Sequence, residues 1–286
     1  MKFLGNLPRN FSMFISRMVA LLAFNIMRNL RNTASKNLQF ALPHLPPAQN
    51  LRIVKGVFIN FGRLLAEFAL LPKLNPKNIS KIVIYEGFEN FSESVRRGKG
   101  TLFLTAHFGA WELSPFAQAV YGHPLKFVIR PIDNPYLDRL INSYRTRSGN
   151  QIIKKKNSIK ELLRALRSKE TVGILIDQNT TLDTGIFVDF FGIPACTTTG
   201  LAALALRTGA TVIPGFLIWD STLGKHRLHF EPPVEIIQTG DHRSDIIQNT
   251  ARFNKVLENL VRRYPDQWLW VHRRWKTRPP GEKMLY

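Results

Sequence analysis

Cysteine, acidic residues near the N-terminus and long apolar runs are what this sequence has least of. A single cysteine, Cys196, in 286 residues excludes an intramolecular disulfide and the Cys/His zinc motifs, and it fits a reducing compartment. From Met1 to Ala66 there are nine Lys or Arg and no Asp or Glu, the first carboxylate side chain being Glu67. The apolar run from Met18 to Met27 is short for a membrane span, which needs about 20 residues, and Arg17 interrupts the stretch around it. No G-x-S-x-G occurs, which argues against an ordinary serine hydrolase. No internal repeat, low-complexity segment or Gly/Ser linker divides the chain.

What is present is enough for a real core, since 44% of the residues are aliphatic or aromatic. The 40 Lys and Arg against 20 Asp and Glu leave a net charge of +20, which attracts polyanions such as an anionic membrane surface or nucleic acid. The segment "FSMFISRMVALLAFNIMRNL" (11 to 30) reads as an interfacial helix, with Arg28, Arg31 and Lys36 behind it to hold an anionic cytoplasmic leaflet. An ordinary first helix of a globular domain is the alternative. No small-residue cleavage site follows the apolar part, so a cleaved signal is not expected. We therefore divide the chain into a basic amphipathic membrane-associating segment, 1–36, and a catalytic domain, 37–286.

Leu51, Val54, Val57, Phe58, Phe61, Leu64, Leu65 and Phe68 recur at helical spacing and predict an amphipathic helix packed on the domain. From residue 80 on, the runs "KIVIYEG", "GTLFLTA", "LKFVIRP", "TVGILID" and "ATVIPGFLIW" read as strands. Helical patterns near 111–121, 134–148, 157–168 and 197–208 lie between them, and a long helix near 243–263 follows. Such alternation predicts a single α/β domain with a central, largely parallel sheet flanked by helices.

The chemistry centres on "LTAHFGAWEL". His107 follows a predicted strand and Glu112 lies five positions later, with Gly109 allowing a sharp turn between them. Strand C-termini are where open parallel sheets bind ligands. On one continuous helix the two side chains would diverge, so they meet only if His107 sits in the turn and Glu112 in the first helical turn. A carboxylate on one ring nitrogen fixes the tautomer and leaves the other free to accept a proton from a hydroxyl. The alternative is a helix N-terminus with a glutamate favoured by the dipole.

Further pieces follow in order: "FVIRPIDNPYLDRLI", "GILIDQN", "FVDFFGIPACTTTGLAALALRTGATVIPGF" and "YPDQWLWVHRRWK". With them, the chain resembles the lysophospholipid acyltransferase superfamily, whose signature is H-x4-D/E. Within it the chain resembles the late acyltransferases of lipid A biosynthesis, which add lauroyl or myristoyl chains. The likeness runs roughly from Asn37 to Lys276 and implies a glycerolipid acyltransferase-like fold. It implies that His107 is the base and Glu112 its orienting partner, and that Arg130 holds an anionic part of a substrate. It also implies that Asp177 and Gln178 contact or orient the site. The phenylalanines of "FVDFFG" (Phe187, Phe190 and Phe191) are candidates to line an acyl channel or to pack in the core. "ACTTTG" is a candidate to open a helix facing a phosphate or an oxyanion. Cys196 is set aside as a nucleophile because small buried cysteines are common.

The implied reaction moves a fatty acyl chain from a thioester donor to a hydroxyl of a membrane lipid, a lipid A precursor or related glycolipid, with no metal or redox cofactor. The donor is acyl carrier protein in preference to acyl-CoA, and the place is the cytoplasmic face of the inner membrane, peripheral or monotopic. A lysophospholipid or other hydroxylated lipid is the alternative acceptor. Water as the acceptor would make the enzyme an esterase or thioesterase. From another class, a nucleic-acid-binding protein would use "HRRWKTR" and Lys154, Lys155 and Lys156 to stack and pair, but no recognised binding module appears. The chain departs from the lipid A enzymes in lacking a clear transmembrane helix ahead of Asn37 and Leu38.

Overall fold

A computed structural model describes residues 1–129, 131–154 and 158–286. Three helices come first: α1 (Lys2–Asn6), α2 (Arg9–Ile26) and α3 (Arg28–Ala41), followed by the long α4 (Pro47–Leu70). Strands and helices then alternate as β1 (Val83–Glu86), α5 (Phe88–Arg96), β2 (Thr101–Thr105), α6 (Leu113–Val120), β3 (Lys126–Ile129), α7 (Pro135–Thr146), β4 (Gln151–Lys154), α8 (Ser158–Arg167) and β5 (Thr171–Leu175). A hairpin, β6 (Gly185–Phe190) and β7 (Ile193–Thr198), leads into α9 (Gly200–Thr208), β8 (Thr211–Asp220), β9 (Lys225–Phe230) and α10 (His242–Arg263).

Seven strands form one sheet in the order β1-β9-β8-β2-β5-β3-β4. β8, β2, β5, β3 and β4 are mutually parallel, whereas β9 runs antiparallel to β8 and β1 is parallel to β9. The largely parallel α/β architecture expected from the alternation is therefore present. The central strands are buried on both faces, as β-branched and apolar runs require. Leu102 and Leu104 of β2 belong to one core, with α4, α8, α9, α10 and the tryptophans of the tail. Phe103 belongs to the other, with Leu113, Phe116 and Ala117 of α6 and Leu228 and Phe230 of β9. Side chains alternating across the pleat thus split one strand between two layers.

Local chemistry sets several helix starts. Asn134 accepts from the backbone N–H groups of Tyr136 and Leu137, with Pro135 at the first helical position of α7. Asp241 caps α10 in the same way through Arg243 and Ser244.

At the N-terminus the expected single helix over 11–30 is broken at Met27, where α2 and α3 meet at an 84° bend. Among the described residues no single helix is long and apolar enough to cross a membrane, although this bent pair passes on length and composition when taken together. α2 packs on α4 through its small residues. Ser12, Ser16 and Ala20 are buried, and a Cβ added at Gly62 of α4 would lie 2.6 Å from the Ser16 carbonyl oxygen. Several of its large residues point away, with Phe14 57%, Leu22 59% and Ile26 68% exposed, while Phe24 packs edge-on against Phe58 of α4. On α4 the predicted stripe is buried at Val54, Val57, Phe58 and Phe68, but Leu51 faces outward.

Candidate active site

The turn that carries His107 is held from three sides. Gly109 adopts a left-handed φ of 57°, and a Cβ there would lie 1.8 Å from the carbonyl oxygen of Leu217, so only glycine fits. Its N–H donates to the Gln267 carbonyl at 2.8 Å, and its own carbonyl accepts from Asn60 Nδ2 at 3.2 Å. Phe108 pairs with Trp268 across an isolated bridge. The C-terminal segment and α4 therefore clamp the end of β2.

β2 and β5 are neighbours in register, with Thr105 opposite Leu175, so the residues just past them, His107 and Asp177, emerge side by side. Asp177 is buried, and its Oδ1 lies 2.9 Å from His107 Nδ1. Its Oδ2 accepts from the His107 backbone N–H at 3.1 Å and from Trp268 Nε1 at 3.0 Å. Burial alone would lower the His107 pKa. The charge of Asp177 and the hydrogen bond to it outweigh burial, and the imidazole sits above its ordinary value. Burial likewise opposes ionisation of Asp177, yet His107 and the Trp268 bond keep its carboxyl below the usual range. An ionised Asp177 accepts from Nδ1–H, which leaves the lone pair on Nε2. Gln178 Nε2 is 3.4 Å from that atom, at the long limit of a contact.

The expected bond between His107 and Glu112 is not made. Glu112 sits at the start of α6 and turns to Arg145 of α7, which donates through Nε to Oε2 at 2.8 Å and through NH2 to Oε1 at 2.5 Å. A bidentate guanidinium occupies both carboxylate oxygens in the geometry it favours, and the adjacent strand brings Asp177 to Nδ1 instead. Glu112 still raises the His107 pKa through its charge, and Arg145 opposes it. Arg130 lies outside the described residues, as do Lys155 and Lys156.

A cavity of about 480 Å³ opens beside this group, within the size range of small-molecule sites. His107, Trp111, Glu112, Arg145 and Gln178 form its polar mouth; deeper walls come from Phe103, Phe127, Gly173, Gly215, Leu228 and Phe230. The Trp111 ring stands edge-on to His107, with centroids 5.4 Å apart. The phenylalanines of "FVDFFG" do not line this cavity: Phe190 and Phe191 pack against Trp268, Trp270 and Trp275 in the core on the other face. The "ACTTTG" segment forms much of β7 and leads into α9, also away from the cavity walls. Cys196 is buried in β7, and desolvation raises its thiol pKa, so it stays protonated.

The C-terminal tail is a structural element. Trp268, Trp270 and Trp275 are buried, and Arg274, fully buried, donates to the Cys196 carbonyl at 2.8 Å and to Thr197 Oγ1 at 2.5 Å. Those aromatics and that cation are unavailable to stack on bases, which removes a main support of the nucleic-acid alternative. Among the described residues no group of three or more His, Cys, Asp or Glu is placed to hold a metal ion. Sequence reasoning missed Trp268, Arg145, Asn60 and Gln267. Of these, only the tail motif containing Gln267 and Trp268 had drawn notice, as a motif without a role.

Residues 1–277 match the family model of the bacterial lipid A biosynthesis acyltransferases. The chain is 29% identical over 267 residues to a lipid A biosynthesis lauroyltransferase of Escherichia coli K12, covering 93% of this chain and 85% of that protein. It is 26% identical over 281 residues to a lipid A biosynthesis palmitoleoyltransferase of the same organism, covering 98% and 90%. A lipid A biosynthesis acyltransferase of Haemophilus influenzae is 27% identical over 255 residues, covering 89% and 78%.

Proposed function

This chain belongs to the bacterial lipid A biosynthesis acyltransferase family, and from that premise we propose that it moves a fatty acyl chain from acyl carrier protein to a hydroxyl of a lipid A precursor, with His107 as general base. Acyl-CoA is the less favoured donor. The acceptor hydroxyl gives its proton to His107 Nε2 as its oxygen attacks the thioester carbonyl. The C–O bond forms, the tetrahedral oxyanion collapses, the C–S bond breaks, and the departing thiolate takes the proton back from the imidazolium. General-base assistance of this kind contributes roughly 10²–10⁴ in rate, positioning and oxyanion stabilisation the rest. Asp177 is a positioning residue that holds the tautomer, and Gln178 is a candidate to steer the acceptor.

One observation carries this reading: His107, whose Nδ1 is bound by Asp177, lines a cavity whose deeper walls are largely apolar. A base beside an apolar slot suits an acyl thioester. The +20 charge suits an acidic carrier protein, a phosphorylated glycolipid and an anionic leaflet together. We place the enzyme peripherally on the cytoplasmic face of the inner membrane, with the outward apolar face of α2 in the lipid interface. A helix that packs on the protein largely through small residues and turns Phe14, Leu22 and Ile26 outward fits a lipid neighbour.

The test is mass spectrometry of lipids after incubation of the full chain with vesicles holding a lipid A precursor and with acyl carrier protein or CoA thioesters. One added acyl mass on the acceptor is expected, from the carrier-protein donor first. Free fatty acid alone would replace transfer by hydrolysis, and an untouched thioester would refute the reading.

A further inference from the structure

The cavity wall contains a gap at the one level where a side chain would be expected to fill it. Phe103 of β2 and Phe127 of β3 both pair with Gly173 of β5, so on the cavity side of the sheet a glycine lies between two phenylalanines. Nothing in the backbone demands glycine here, since Gly173 is not in the left-handed region. A Cβ built on it would meet only the Leu125 Cδ1 atom, at 3.4 Å, an ordinary van der Waals contact. Glycine inside a strand sacrifices packing and usually marks a close approach by something else. Here the space belongs to the cavity.

Its depth is fixed by the strands. Gly173 is level with Phe103, four residues before His107, which at roughly 3.3 Å per residue puts it about 10–13 Å below the base. On the other side of Phe103, and two residues nearer the base, Phe103 and Phe230 close in on Gly215, where an added Cβ would lie 3.1 Å from Phe103 and 3.3 Å from Phe230. Gln118 of α6 stands in the same wall, six residues and about 9 Å along the helix from Glu112 at the mouth. Its carboxamide accepts from the Tyr85 hydroxyl at 2.9 Å, while its amide nitrogen is buried with no partner among the described residues. Exchanging the amide's N and O would leave the oxygen in that position instead. Either way a methylene pressed against it offers no hydrogen bond.

We propose that Gly173 selects acyl-chain length: the slot it leaves between Phe103 and Phe127 takes the donor's chain, and the size of the side chain at 173 sets where its methyl end must stop. This rests on the acyl-transfer reading above for the identity of the ligand. Each methyl or methylene placed at 173 shortens the space available to a chain whose carbonyl is fixed at His107. In a hydrophobic pocket one methylene changes discrimination by about tenfold or more.

The experiment gives the full chain an equimolar mixture of decanoyl, dodecanoyl, tetradecanoyl and hexadecanoyl thioesters of acyl carrier protein. It reads equilibrium binding of each thioester without acceptor, and separately the acyl mass placed on the lipid. Wild type is expected to show one preferred length in both readouts. Gly173→Ala and Gly173→Val should move both optima stepwise to shorter chains, with the long-to-short ratio falling at least about tenfold per step. An optimum unmoved in folded Gly173→Ala and Gly173→Val overturns the proposal, and Gly173→Ala decides alone if the valine variant does not fold. A shift in binding with no lipid acylated by wild type would keep the selector and refute the acceptor. Absence of thioester binding would refute both.

Discussion

Two histidines in this molecule bond carboxylates that are fully buried, and they have opposite fates. His107 lies 2.9 Å from Asp177 and His226 lies 3.1 Å from Glu67, so the bonds themselves hardly differ. Their surroundings do. Asp177 spends its remaining hydrogen-bonding capacity on neutral donors, the Trp268 indole and a backbone N–H; burial lowers the His107 pKa, but the charge of Asp177 and its bond outweigh that and the imidazole pKa rises. Glu67 also holds the guanidinium of Arg9, which donates from NH2 at 2.6 Å. For His226, burial and the nearby charges of Arg63 and Arg9 outweigh Glu67, and the pKa falls. His226 is sealed, its Nδ1 without a partner among the described residues, whereas His107 lines a cavity. The same pair of residue types makes a candidate base in one place and a structural tie between α2, α4 and β9 in the other. Access and competing charges decide, not the pair.

The largest expected effect that sharpens this contrast is at His107. His107→Ala should lower kcat by about 10²–10⁴, while His226→Ala should leave kcat of the folded enzyme within a fewfold of wild type, as measured by steady-state acyl transfer. Equal losses would erase the distinction. Next comes Asp177→Asn, expected near the lower end of that range, about 10², because an amide can present the wrong group to Nδ1. Glu67→Gln should do the reverse, costing about 2 kcal/mol of stability through the charged bonds to Arg9 with turnover kept, as read from denaturant unfolding and activity on the same samples. The smallest loss is expected at Glu112→Gln. Its charge only assists His107 from a distance, so a defect as deep as that of Asp177→Asn would return the orienting role to Glu112.

Much of the architecture was legible because the central strands are continuous β-branched and apolar runs, and the helices between them are strongly periodic. β9 was not, since "KHRLHF" carries four basic or titratable side chains, Lys225, His226, Arg227 and His229, and reads as loop until its partner β8 is known. β4 is only four residues long, and the β6–β7 hairpin contains Pro194 and a run of threonines. At the site, His107, Asp177 and Gln178 were all visible as strand-end polar residues, but the bond between the first two was not. It spans 70 positions and depends on β2 lying beside β5. Strand order is a tertiary fact, and without it the local H-x4-E spacing drew Glu112 into the role. Arg145, which claims Glu112, sits a helix and a strand further along and carries no local mark.

The pH dependence of kcat/KM tests the central claim most directly. A general base must be unprotonated in the free enzyme, so activity should fall as pH drops through the His107 pKa, which lies above the ordinary imidazole value of 6.5. The account predicts an acid limb above 6.5 in the wild type that moves to lower pH in Asp177→Asn, where the anion that raises it is gone. An acid limb that stays in place when Asp177 becomes Asn would contradict it.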